Sequence, residues 1–93
     1  MFRKSRPNLI ESDEGYMVEV LGQTGVMYIE GQRHLFVDSE VLLGPSGMAI
    51  YANSIKTWEP PFANEEIDES KKVSIIENIR RAFRFEGFEI HVF

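Results

Sequence analysis

Residues 64–93 read NEEIDESKKVSIIENIRRAFRFEGFEIHVF, and this stretch decides the fold class. Val73, Ile76, Ile79 and Phe83 recur at intervals of three and four and are flanked by Ile75 and Ala82, which places an apolar stripe along one side of a helix. Asn64 offers an N-cap oxygen, and Glu65, Glu66, Asp68 and Glu69 follow where the positive end of the helix dipole favours acids. Arg80, Arg81 and Arg84 occupy the last turns, where cations are favoured, and Gly87 suits the left-handed C′ position. The pattern predicts a helix over 65–86. The period then changes to two: Phe88, Ile90 and Val92 share one face of a terminal strand over 88–93 that returns to a sheet.

Upstream, residues 8–58 break into short β-rich segments punctuated by glycine. Leu9-Ile10 precede an acidic turn, and in Tyr16–Leu21 the residues Tyr16, Val18 and Val20 share the face expected to be buried. Gly22-Gln23-Thr24-Gly25 makes a turn into Val26–Glu30, and Gly31-Gln32 fits a type II′ hairpin, which requires glycine first. Arg33–Glu40 runs back, with Val41-Leu42-Leu43 as its continuation or a new strand. Gly44-Pro45-Ser46-Gly47 makes a turn before Met48–Tyr51. The expectation is one α+β domain spanning 1–93: a mainly antiparallel sheet of about five to six strands, a Pro-Pro link over 59–64, one long amphipathic helix and the returning strand. At 93 residues and 10.7 kDa the chain has room for a single core.

The net charge of −5 is unevenly spread. Arg3, Lys4 and Arg6 lie in residues 1–7, expected to be a flexible basic tail. Residues 11–50 hold Glu11, Asp13, Glu14, Glu19, Glu30, Asp38 and Glu40 against Arg33 alone. A surface of that sign repels a phosphate backbone, so nucleic acid is not the expected partner. It favours a basic protein instead, chiefly through association rate. With no cysteine there is neither a disulfide framework nor a thiolate metal site, which fits a reducing cytoplasm. No apolar run approaches the roughly 20 residues of a membrane span, so no membrane partner is expected.

Catalytic patterns are lacking. His34 and His91 fall in different strands with no nearby ligand set, and both read as structural or surface residues. No serine has a nucleophile-elbow context, and Gly44-Pro45-Ser46-Gly47 lacks the lysine ending of a phosphate loop. The pairs Asp13-Glu14 and Glu65-Glu66 lie at polar turns without the apolar enclosure that tunes an acid–base pair. Trp58, just before the diproline link, reads either as a core plug closing the crossover or as an exposed binding hot spot, the plug being favoured.

The run Ile50-Tyr51-Ala52-Asn53-Ser54-Ile55-Lys56-Thr57-Trp58-Glu59-Pro60-Pro61 feeds a helix that ends in Arg84-x-x-Gly87 before a final strand. Over residues 50–93 this resembles the small immunity proteins of bacterial polymorphic toxin systems, with Tyr51, Ser54, Trp58, Pro60, Pro61 and Gly87 as motif positions of structural character. The resemblance implies a non-enzymatic cytoplasmic antidote without cofactor or metal, which binds one cognate toxin domain and blocks it. A nuclease with a basic cleft would suit the acidic section, and Asp13, Glu14, Glu19, Glu30, Asp38 and Glu40 are then the candidate contacts. Two other readings stand beside it: a homodimer or larger homo-oligomer formed through the edge strand Phe88–Phe93, and a small ligand-binding protein with a pocket around Tyr51, Trp58 and Arg84.

Overall fold

Gly31 has φ +63° and Gln32 has a negative φ, the combination a type II′ turn requires, and Glu30 and Arg33 face each other across it. This hairpin is the middle of a meander. A computed structural model describes residues 1–22, 24–42 and 47–93. Its strands are β1 (Phe2–Arg6), β2 (Leu9–Ser12), β3 (Tyr16–Val20), β4 (Gly25–Glu30), β5 (Arg33–Val41), β6 (Gly47–Ile50) and β7 (Glu89–Val92), with the helix α1 (Glu69–Phe85) before β7. They form one sheet in chain order. All neighbours are antiparallel except β6 and β7, whose parallel pairing follows from the helical crossover between them. Of the expected Gly44-Pro45-Ser46-Gly47 turn only Gly47, the first residue of β6, is among the described residues, and Gln23 of the expected turn over 22–25 and Leu43 of the expected continuation over 41–43 also lie outside them.

The α+β class and the returning strand are as expected, but the sheet has seven strands among the described residues, not five to six. The addition is β1, in residues read as a tail. Each of its cations meets an acid: Arg3 with Glu11 at 3.0 Å, Lys4 with Glu86 at 2.7 Å and Arg6 with Glu19 at 3.6 Å. Phe2 packs edge-on to Tyr16 and against Phe85.

The register places Ile10, Val18, Tyr28 and Leu35 in one row across β2–β5, and all four are buried beneath α1. Helix residues Ile75, Ile79, Ala82 and Phe83 complete the core. The stripe is therefore rotated from the expected one, and Val73 is 58% exposed. The helix also begins later than residue 65: its N-cap is Asp68, whose carboxylate accepts from the Lys71 amide at 2.8 Å. Residues 64–67 are held out of the helix by the link itself. The Ile67 amide donates to the Lys56 carbonyl, and Thr57 bridges to Glu66. At the other end Gly87, with φ +85°, takes the C′ position: the Phe88 amide bonds the Phe83 carbonyl and the Gly87 amide bonds the Arg84 carbonyl.

The link is stitched to β5 where β6 has ended. Ser54 Oγ accepts from the Asp38 amide and donates to the Tyr51 carbonyl, and the Glu59 amide donates to the His34 carbonyl. Trp58 is 6% exposed and stacks on Tyr28, with ring centroids 6.4 Å apart. It plugs the core beneath the crossover. Arg33 fastens the rest of the link, bonding both carboxylate oxygens of Glu65 at 2.8 and 2.9 Å while its guanidinium lies 4.3 Å from the centre of the Phe62 ring.

Candidate interaction face

One α-helix covers one side of a sheet, and no second α-helix among the described residues covers the other. Strand alternation assigns that open side. In β5 the residues Leu35, Val37 and Ser39 point to the core, so His34, Phe36, Asp38 and Glu40 point away. Cross-strand pairing extends the face from them. Phe36 lies beside Met27, and Met27 beside Glu19; Ile29 joins Met17 to His34. Glu40 pairs with Ala49, and Ala49 with His91. One row further along, the Tyr51 amide donates to the Asp38 carbonyl and the Phe93 amide to the Ile50 carbonyl, which brings Asp38, Tyr51 and Phe93 side by side. The rings of Tyr51 and Phe93 are 6.0 Å apart.

The result is a seam of half-buried methionines, Met17 and Met27 around the buried Ile29, and of more exposed aromatic side chains, bordered by carboxylates. Phe36 is 38% and Phe93 68% exposed, and such residues are enriched where proteins meet. Phe36 also covers Gly25 on the adjacent strand: a β-carbon at that glycine would stand 2.5 Å from the ring.

The six candidate acids do not form one patch. Asp13 and Glu14 sit in the β2–β3 turn, where Asp13 holds the Met1 amine at 2.7 Å and Glu14 lies 3.6 Å from Arg81. Glu19 is on the open face, paired with Arg6. Glu30 shares the helix side with Tyr28, two residues earlier, and its carboxylate lies 2.6 Å from Lys71 Nζ. Burial alone would raise its pKa, but the Lys71 ammonium and the Tyr28 hydroxyl hold it below the usual carboxylate value. Asp38 and Glu40 remain on the open face, and neither makes an ion pair with another described residue. The Tyr51 hydroxyl donates to Glu40 Oε1 at 3.3 Å, and the negative charge of Glu40 raises the pKa of that phenol.

The other chemically suggestive residues are occupied or apart. His34 and His91 are both exposed on the open face, and no cluster of three or more metal-ligating side chains occurs among the described residues. Arg80 bonds Glu77 and the Ile90 carbonyl, Arg81 bonds Asn78, and Arg84 lies 3.4 Å from Glu89. The pocket expected of a ligand binder does not assemble: Trp58 is in the core, Tyr51 on the open face and Arg84 at the end of α1. An apolar cleft of about 240 Å³ lies elsewhere, between the β1–β2 hairpin and the segment that ends α1 and follows it, with Phe83 and Phe88 in its lining. Phe36, Met17 and Met27 were not among the sequence candidates, and Phe93 was one only as part of the edge strand Phe88–Phe93. Alternation within β5 carried the signal for Phe36, whereas the approach of Phe93 to Tyr51 depends on the crossover.

Among the described residues, no helix is long and apolar enough to cross a membrane. Compared with known families, residues 18–92 match the family model described as immunity protein 74. The match reaches well upstream of the segment that carried the sequence resemblance and includes most of the sheet. No curated protein and no solved structure matches the chain.

Proposed function

The chain belongs to the immunity protein 74 family, and from that premise we propose that it is a non-enzymatic cytoplasmic antidote that binds one cognate toxin domain and blocks it. The observation that carries the reading is the uncovered side of the sheet, where an aromatic and methionine seam is bordered by Glu19, Asp38 and Glu40. A toxin with a basic cleft, such as a nuclease, complements it. Long-range attraction speeds the encounter, and the preformed sheet keeps the ordering cost of binding small. Asp13 and Glu14, in the turn, add to the field rather than to the contact, and Glu30 belongs to the fold. Nucleic acid and membrane have no part in this mechanism.

The test is a pull-down with the tagged chain from its native cells, at low and high salt, with growth assays on whatever is recovered. We expect one stoichiometric, basic domain that is toxic when expressed alone, is tolerated when expressed with this chain, and associates more slowly at high salt. Recovery of the chain alone, with no toxic partner, overturns the reading. That outcome would favour the second one, a homo-oligomer through β7, an edge strand whose Val92 side chain is exposed and whose neighbour Phe93 is more so. Light scattering tests that second reading, which a monomer up to high concentration overturns.

A further inference from the structure

We propose that the corner of the open face formed by Asp38, Glu40, Tyr51 and Phe93 is the anchoring socket of the docking surface, and that its occupant is an arginine side chain of the basic partner. The inference rests on the antidote reading and deepens it. Of the six acids in the acidic section singled out above, four are already neutralised within the chain: Asp13 by Met1, Glu14 by Arg81, Glu19 by Arg6 and Glu30 by Lys71. Asp38 and Glu40 are the pair left without a cation among the described residues. They lie on the same side of β5, about 7 Å apart along the strand. An incoming cation there displaces no internal ion pair, so its attraction is not offset by a broken one.

The socket has a floor as well as charge. Tyr51 lies directly beside Asp38 in the sheet, and its ring is tilted 33° against that of Phe93, giving an aromatic platform next to the carboxylates that is half-buried at Tyr51 and exposed at Phe93. Planar guanidinium suits both parts at once: its fork bonds a carboxylate through two hydrogens while its face lies on a ring, which a lysine ammonium does not match. The chain uses this arrangement internally, where Arg33 bonds Glu65 through two nitrogens above Phe62. The backbone of the socket is fixed in advance. Ser54 holds the Asp38 amide, the Tyr51 amide bonds the Asp38 carbonyl, and the Phe93 amide bonds β6. Motif residues Tyr51 and Ser54 thus both hold the backbone at Asp38 in place.

The experiment measures binding of the purified toxin domain recovered with the wild-type chain. Asp38→Asn with Glu40→Gln should weaken it by about 100-fold, and Phe93→Ala by about 10-fold, with thermal midpoints unchanged because these side chains are at the surface. Glu14→Gln, at an acid already paired, should stay within about threefold. On the toxin side, one arginine should lose binding when replaced by lysine, and lose nothing further when combined with the double variant. Wild-type binding that the double variant retains within threefold overturns the socket while leaving the antidote reading standing. Failure of the wild-type chain to bind any toxin domain overturns both.

Discussion

Tyr28 and Glu30, two residues apart on β4, are joined on the helix side of the sheet by a hydrogen bond of 2.7 Å from the Tyr28 hydroxyl to Glu30 Oε1. The hydroxyl also accepts from Asn78 Nδ2 at 2.9 Å, and the second oxygen of Glu30 takes Lys71 Nζ. Two side chains of α1 are therefore pinned to β4 through one pair of strand residues. Tyr28 is fully buried and its partners Glu30 and Asn78 are half-buried, so Tyr28→Phe takes one partner from each of two partly shielded polar groups. The substitution should cost about 1–3 kcal/mol in urea unfolding with the urea slope unchanged. A loss below about 0.5 kcal/mol would show that the helix is held by apolar contact alone.

The same pair sets opposite pH limbs. Glu30 has its folded pKa below the ordinary 4.5, so the folded state binds fewer protons than the unfolded chain as pH falls. Its contribution is present above that ordinary value and is lost as pH drops through the folded one; Glu65, held down by Arg33, adds to this limb. Tyr28 has its pKa raised above 10, first by burial and then by the hydrogen bond to Glu30. Its contribution is complete below pH 10 and is lost as the solution becomes more alkaline. Thermal midpoints across pH should fall at both ends. Lys71→Met should flatten the acid limb, and Tyr28→Phe the alkaline one.

Trp58 closes the core from the link, stacked on Tyr28, which in turn stacks on Tyr16 with ring centres 5.7 Å apart. Trp58→Ala should destabilise by about 3–5 kcal/mol, enough to unfold much of so small a domain. Trp58→Phe keeps part of the stack and should cost less than half as much. Equal losses for the two variants would place the energy in the indole's shape rather than in area buried.

The helix, its glycine terminus and the alternation of β3 were legible because each depends on residues close in sequence. β1 was not: its basic side chains look solvated until the meander brings Glu11 and Glu19, and the helix end brings Glu86. The helix start was ambiguous for a related reason. Asn64 and Asp68 are both good caps, and the choice is made by contacts of 57 and 56 with 66 and 67, which no local pattern contains. In the candidate site, the alternation that exposes Phe36, Asp38 and Glu40 can be read within β5, but their meeting with Tyr51 and Phe93 is a product of the crossover.

The cap assignment has its own test. The Asp68 carboxylate accepts from the Lys71 amide, and Asn64 lies outside the helix. Asp68→Ala should lower stability by about 1 kcal/mol, while Asn64→Ala should change it by less than about 0.3 kcal/mol. Reversal of that order in chemical denaturation would move the start of the helix back toward residue 65.

Gly25→Ala separates stability from surface shape. Gly25 has an ordinary backbone angle, so alanine fits the strand, and removal of a glycine stabilises by up to about 1 kcal/mol through the unfolded chain. The new methyl group would stand 2.5 Å from Phe36 Cε1 and 2.9 Å from Cζ, which are the far end of a partly exposed ring able to swing away. The lost contact and the entropic gain are similar in size, so the thermal midpoint should move by no more than a few degrees. The open face should change far more, because Phe36 must leave its place beside Met27. Aromatic resonances of Phe36 should shift, and toxin binding should weaken by about 10-fold in a protein that is still fully folded. A displaced ring with unaltered binding would remove Phe36 from the contact surface and confine it to the Tyr51 and Phe93 end.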